Sequence, residues 1–280
     1  GNREATSISV CVAGNDIYVV GYEKDEKEHF VPMLWKNGKP TVLTVKDGSE
    51  NAAARSVYVV GNDVYIVGWD DKSAILWKNG EPTALTDDKN NTAVANSVFV
   101  DGADVYVAGY VVGSDNNEAT LWKNGKPTLL SGNSPEANAK AVYVAGSEVY
   151  VAGYQKEGDK TVPQLWKNGK AVTLKEGKYD TFIQSLFVAG SDVYMVGYED
   201  VNGKPKAILW KNGEQTSLTD GSSDMAIAFD VKVEGEDVYA AGFDGHKAIL
   251  WKNGKPTEYS DGEKNACVNS VFIVKREVTK

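Results

Sequence analysis

The sequence predicts an all-β fold, a six-bladed β-propeller of four-stranded antiparallel blades, and three observations predict it. Leu-Trp-Lys-Asn-Gly occurs six times, at 34–38, 76–80, 121–125, 165–169, 209–213 and 250–254. The tryptophans of those copies, Trp35, Trp77, Trp122, Trp166, Trp210 and Trp251, fall 42, 45, 44, 44 and 41 residues apart, a period that fits one propeller blade. Each period holds four short β-prone runs divided by turn signals. No linker or shift of composition interrupts the repeat. Residues 1–280 therefore read as a single domain, six full repeats followed by a partial one over 266–280.

The second copy shows each element in order. Strand a begins at Ser56, and Gly61-Asn62 then predicts a tight hairpin into strand b. Gly14, Gly102, Gly146, Gly190 and Gly235 stand at the same place, where glycine supplies the positive φ of the turn. Strand b is apolar on both faces, with Val64, Ile66 and Gly68 alternating with Tyr65, Val67 and Trp69. A sheet with one wet face alternates apolar with polar, so each blade is expected to lie between two others. Small pairs near the end of b, such as Ala108-Gly109, Ala152-Gly153 and Ala241-Gly242, mark a close approach of backbones. Strand c carries the tryptophan and turns through Asn79-Gly80, the strongest short hairpin signal. Strand d is polar and carries Pro40, Pro82, Pro127 and Pro256, which cannot donate to a ladder, so d is the exposed outer edge.

The connections from d to the next a (87–95, 220–228) and from b to c (22–32, 70–73) vary and open on one rim, while the tight hairpins close the other. Function generally occupies the variable rim. An acid opens every strand b (Asp16, Asp63, Asp104, Glu148, Asp192, Asp237) and should meet the lysine after each tryptophan (Lys36, Lys78, Lys123, Lys167, Lys211, Lys252). Their six-fold repetition reads as surface ion pairs of small worth. The recurring tryptophan reads as packing between blades. So does the aromatic residue closing strand b (Tyr22, Trp69, Tyr110, Tyr154, Tyr198, Phe243), although sugars and peptide side chains also stack on such rings.

Residues 270–280 align with 56–66, yet Lys275-Arg276 replaces the glycine turn and no strand c or d follows. A strand a beginning at Ser9 already stands at the start of the chain, so two inner strands compete for one position. Six blades with a terminal overlap is the expectation, and a seven-bladed ring with an incomplete last blade is the alternative. Cys11 and Cys267 lie near opposite ends, which a ring could bring together as a disulfide clasp. Two separate buried thiols behaving as small hydrophobes is the plainer reading.

Val-Tyr-Val-Ala-Gly-Tyr followed by Leu-Trp-Lys-Asn-Gly resembles the repeats of secreted and periplasmic bacterial β-propeller proteins, over nearly the whole chain. The resemblance implies the propeller fold and an extracytoplasmic location, and brings no catalytic residues with it. A start at Gly1-Asn2-Arg3 rather than methionine fits a chain whose targeting segment has been removed.

The net charge of −9 comes from 39 acidic and 30 basic residues, with Arg3, Arg55 and Arg276 the only arginines. Lysines recur once or twice per repeat and so are spread around the ring; nucleic acid, which needs a clustered basic face, is not expected as a partner. No apolar run approaches the roughly 18 residues that span a membrane, so insertion is not expected. A monomer is expected. His29 and His246 each stand alone in a b–c loop, and no nucleophile elbow, zincin or P-loop motif occurs, so neither a metal site nor a cofactor is expected. The oxygen-rich stretches 220–224 and 114–118 match no EF-hand loop.

The most informative column is the residue just before the strand-a serine: Ile8, Arg55, Asn96, Lys140, Gln184, Phe229 and Asn269. If strand a is innermost, these residues ring the channel mouth on the variable face, where mixed donors suit a polar ligand or a peptide segment. Arg55, Asn96, Lys140, Gln184, Phe229 and Asp230 are the candidate binding residues. Asp230 stands where Ser9, Ser56, Ser97 and Ser185 stand in other copies. It is a weak catalytic candidate as one half of a carboxylate pair, and a tolerated, hydrated substitution is the plainer reading. The function expected is a non-catalytic, extracytoplasmic propeller that recognises a protein or glycan through its variable rim. The alternatives are a carbohydrate-active propeller enzyme, glycosidase or lyase, and a purely structural surface protein.

Overall fold

The structure, a computed structural model, describes residues 4–45, 49–86, 92–113, 116–132, 134, 136–175 and 177–274. Parts of the expected loops at 87–95 and 114–118, and the Lys275-Arg276 turn replacement, lie outside the described residues. Among the described residues, twenty-four strands, β1–β24, form six four-stranded antiparallel sheets in strict chain order. They occupy residues 5–42, 52–84, 93–129, 137–172, 180–217 and 226–258. The first strand of each sheet lines the axis: β1 (Ala5–Ala13), β5 (Ala52–Val60), β9 (Ala93–Asp101), β13 (Ala137–Ala145), β17 (Asp180–Ala189) and β21 (Ala226–Glu234). The molecule is a six-bladed β-propeller, and among the described residues no blade borrows a strand from the opposite terminus. Among the described residues no helix is long and apolar enough to cross a membrane.

The repeated sequence builds each blade through the same contacts. Asn37 and Gly38 both have positive φ, 51° and 76°, as a two-residue type I′ hairpin requires. The Asn37 side chain then ties the hairpin to strand b, accepting from Ile17 N at 2.8 Å and donating to Asp16 Oδ1 at 2.7 Å. The six expected acid–lysine pairs all form, at 2.7–3.5 Å. Lys36 and Asn37 together hold the Asp16 carboxyl below its usual range. These groups are exposed, so their effect on stability is small.

Apolar packing between blades holds the ring. Trp77, Trp122, Trp166, Trp210 and Trp251 are at most 1% exposed, and each packs against the preceding blade. Trp77 shares a buried cluster with Cys11, Tyr18, Val20 and Leu43, and Trp251 one with Tyr194, Val196 and Leu218. Truncating a buried ring of this kind typically costs about 3–5 kcal/mol. Blade 1 differs, because its Trp35 is only half-buried.

The seam between the sixth blade and the first is where residues 266–274 run. Ala266 N donates to His246 O at 3.1 Å, Val268 N to Gly242 O at 3.0 Å, and Asn269 Nδ2 to Ser7 O at 2.7 Å. This segment forms no strand. The two inner segments therefore do not compete: Ser9 belongs to the inner strand of blade 1, and Ser270 stands in a place of its own between blades 6 and 1. The cysteine clasp does not form. Both thiols are free, and Cys267 is exposed rather than buried because its segment lies along the seam without a covering strand.

Candidate functional site

Every blade carries a β-bulge at the same point. Pairing of the inner strand with the second strand slips by one residue, leaving Ile8, Arg55, Asn96, Lys140, Gln184 and Phe229 without an opposite number. The cause is the glycine across the ladder. A Cβ on Gly68 would sit 1.9 Å from Ala53 O, and Gly21, Gly109, Gly153, Gly197 and Gly242 face carbonyl oxygens at 1.9–2.0 Å. The inner backbone folds into space that only glycine leaves, gains one residue and re-aims that side chain. Close approach was readable from the small pairs in strand b; the bulge was not.

The six bulge residues and Asn269 line one axial cavity of about 710 Å³. Arg55 is the fourth residue of β5, which enters from the loop rim, so this tier lies toward the variable face. Three residues further along the inner strands, Tyr58, Phe99, Tyr143 and Phe187 form an arc with ring centroids 4.8, 4.9 and 4.9 Å apart. Phe229 lies 5.7 Å from Phe243. All six candidate binding residues, Asp230 included, line the cavity.

Two cations in it lack counter-charges. Arg55 Nη1 donates to Asn96 Oδ1 at 3.3 Å, and Asn96 Nδ2 donates onward to Asn138 Oδ1 at 3.1 Å and Ala139 O at 2.8 Å. Arg55 Nε is buried without a partner. Lys140 Nζ lies 5.7 Å from the centre of the Tyr154 ring. Neither cation makes an ion pair among the described residues. Burial, reinforced by Arg55, pushes Lys140 down to about 8. Burial also lowers Arg55, whose electrostatic neighbours are the hydroxyls of Tyr110, Tyr22 and Tyr154. Burial raises Tyr154 to about 12. Asn138 was missed at the sequence level, although a polar residue where other blades carry Ala53 or Val94 was a visible signal.

Asp230 is 7% exposed and not the hydrated substitution expected for it. Its Oδ1 accepts from Ser185 Oγ, Val231 N and Lys232 Nζ, each at 2.9 Å. Its Oδ2 accepts from Ser270 Oγ at 2.9 Å and Val271 N at 3.0 Å. The last bond repeats the way Ser56 Oγ takes Val98 N and Ser97 Oγ takes Val142 N, at 3.3 and 3.2 Å. The carboxylate thus fastens the C-terminal segment to the ring. His29 lies in the first b–c loop, beside Asp25 and Glu50 at 3.4 and 3.8 Å, and His246 meets Asn265.

No family model matches the chain, and no curated protein matches it. Solved structures do. The β-propeller domain of the Trilobed protease from Pyrococcus furiosus is 13% identical, with a TM-score of 0.54 over 92% of this chain and 85% of that one. A puromycin-hydrolyzing peptidase of Mycobacterium tuberculosis is 12% identical, TM-score 0.56, over 91% of this chain and 46% of its own. The extracellular domain of a hybrid two-component system from B. thetaiotaomicron is 10% identical, TM-score 0.56, over 97% of this chain and 37% of its own. The chain thus spans less than half the length of the last two. At these identities the likeness is one of fold.

Proposed function

We propose that this protein is a non-catalytic binding propeller that holds a polar part of a protein or glycan at the channel mouth on its variable rim. One observation carries the reading. Blades that repeat the tryptophan, the hairpin and the acid–lysine pair differ most at the single position that the bulge turns into the common cavity. A scaffold of uniform blades with a mixed set of side chains at its axis is suited to recognising one asymmetric ligand. An extracytoplasmic setting belongs to the same proposal, supported by the repeat resemblance. An enzymatic role draws no support from Asp230, whose five hydrogen bonds suit fastening better than proton transfer.

Screening wild type against glycan and peptide arrays tests the reading, with Arg55→Ala and Gln184→Ala as variants. Binding should be present in wild type, weakened in both variants, and unaccompanied by cleavage of the bound compound. Undiminished binding in both variants would move the site away from the axis. Turnover of the ligand that stops in Asp230→Asn would make the protein an enzyme instead.

A further inference from the structure

We propose that Arg55 and Lys140 form an anion site on the channel axis, and that it takes the carboxylate of an acidic saccharide. This rests on the binding reading above and names the ligand class for it.

The charge arrangement argues for an anion. The protein carries a net charge of −9, and the other channel lysine, Lys232, meets an acid, Asp230, at 2.9 Å. Arg55 and Lys140 alone among the described channel residues bring positive charge to the cavity without an acid beside it. Holding an unpaired cation half-buried is unfavourable, and the same column holds the neutral Ile8, Asn96, Gln184 and Phe229 in other blades, so nothing in the fold demands a charge there. A ligand carboxylate would supply the missing counter-charge. Asn96 steadies one arm of the guanidinium.

The rest of the lining argues for a sugar. Gln184 carries an amide that both donates and accepts, which matches hydroxyl groups, and Asn269 keeps one N–H beyond its bond to Ser7 O. Tyr22 adds a ring face and a hydroxyl to the lining, and Tyr110 and Tyr154, outside it, lie close enough to Arg55 to act on its charge. A cavity of about 710 Å³ admits a few sugar units, or the end of a longer chain, and not a folded surface.

The test is calorimetric titration of trigalacturonate, and of its fully methyl-esterified neutral form, into wild type, Arg55→Gln and Lys140→Met. The free acid should bind wild type, and esterification or either substitution should weaken it by about 30-fold or more, the loss that follows when one partner of a buried charged pair is removed. Both variants delete a half-buried, unpaired charge, so both should melt close to the wild-type temperature, which separates lost binding from lost folding. Equal binding of acid and ester, untouched by the substitutions, overturns the anion site and leaves the binding propeller standing. Arg55-dependent binding of inorganic phosphate or of acidic peptides, with none of trigalacturonate, overturns the saccharide assignment. Silence across glycan and peptide arrays overturns the binding reading itself.

Discussion

Lys140 has two opposed consequences of one environment. Its ammonium faces Arg55 from the second blade and the ring of Tyr154 from its own, a tyrosine on which Tyr198, Glu136 and Tyr110 act in turn. Burial and Arg55 bring its folded value to about 8, against 10.5 in the open chain. Above about pH 8 the unfolded chain therefore holds more protons than the folded one, and stability rises with pH. Over the same interval the anion site loses charge and its affinity falls. The clean window closes near pH 9, where Cys11, raised above 9.0 by burial, begins to pull stability down. Thermal melts of wild type and Lys140→Met at pH 7.5 and 8.5 should show a positive slope in wild type alone, and equal slopes would mean that Lys140 is solvated. The column holding Arg55 and Lys140 was legible because internal repeats align themselves. Their lack of partners was not, since it depends on which side chains the ring places across the axis.

One scale up, the bulge is the element that converts a repeat into a site, and glycine makes it by a different route from the hairpin glycines. Gly109 has ordinary φ but no room: a Cβ there would lie 2.0 Å from Val94 O. Gly125 has open space around it but φ of +76°. Gly109→Ala should cost about 3 kcal/mol by overpacking and disturb Asn96 in the cavity. Gly125→Ala should cost about 1–2 kcal/mol by left-handed strain alone and leave the cavity intact. Guanidinium unfolding of the two variants checks the order. A Gly109→Ala protein as stable as Gly125→Ala would show that the inner strand does not need the bulge. Sequence reading located both sets of glycines and assigned the hairpins correctly. It missed the bulge because a one-residue slip leaves the repeat period and the strand count unchanged.

At the scale of the whole molecule, the period and the apolar faces of strand b were enough to read a propeller, whereas closure was not legible. Aligning residues 270–280 with strand a counts a strand, but angular room around an axis has no signature in a repeat. The ring resolves the competition by leaving a gap between blades 6 and 1, marked by half-buried Trp35, and laying residues 266–274 into it. A carboxylate is needed at position 230 because it must serve two neighbours: Ser185 on one side, and Ser270 with Val271 on the other. Asp230→Ala leaves those donors without this acceptor and Lys232 without its counter-charge, and should cost about 3 kcal/mol. Asp230→Ser keeps one oxygen, placed as Ser56 Oγ is for Val98 N, and should recover a good part of that loss. Amide hydrogen exchange at Val268 and Val271 gives the decisive comparison. Protection there should fall most in Asp230→Ala and less in Asp230→Ser, with exchange in the five tryptophan-filled seams little changed. If Val271 stays protected in Asp230→Ala, the segment is held by its contacts with Ser7 and Gly242, and the carboxylate is free for another role.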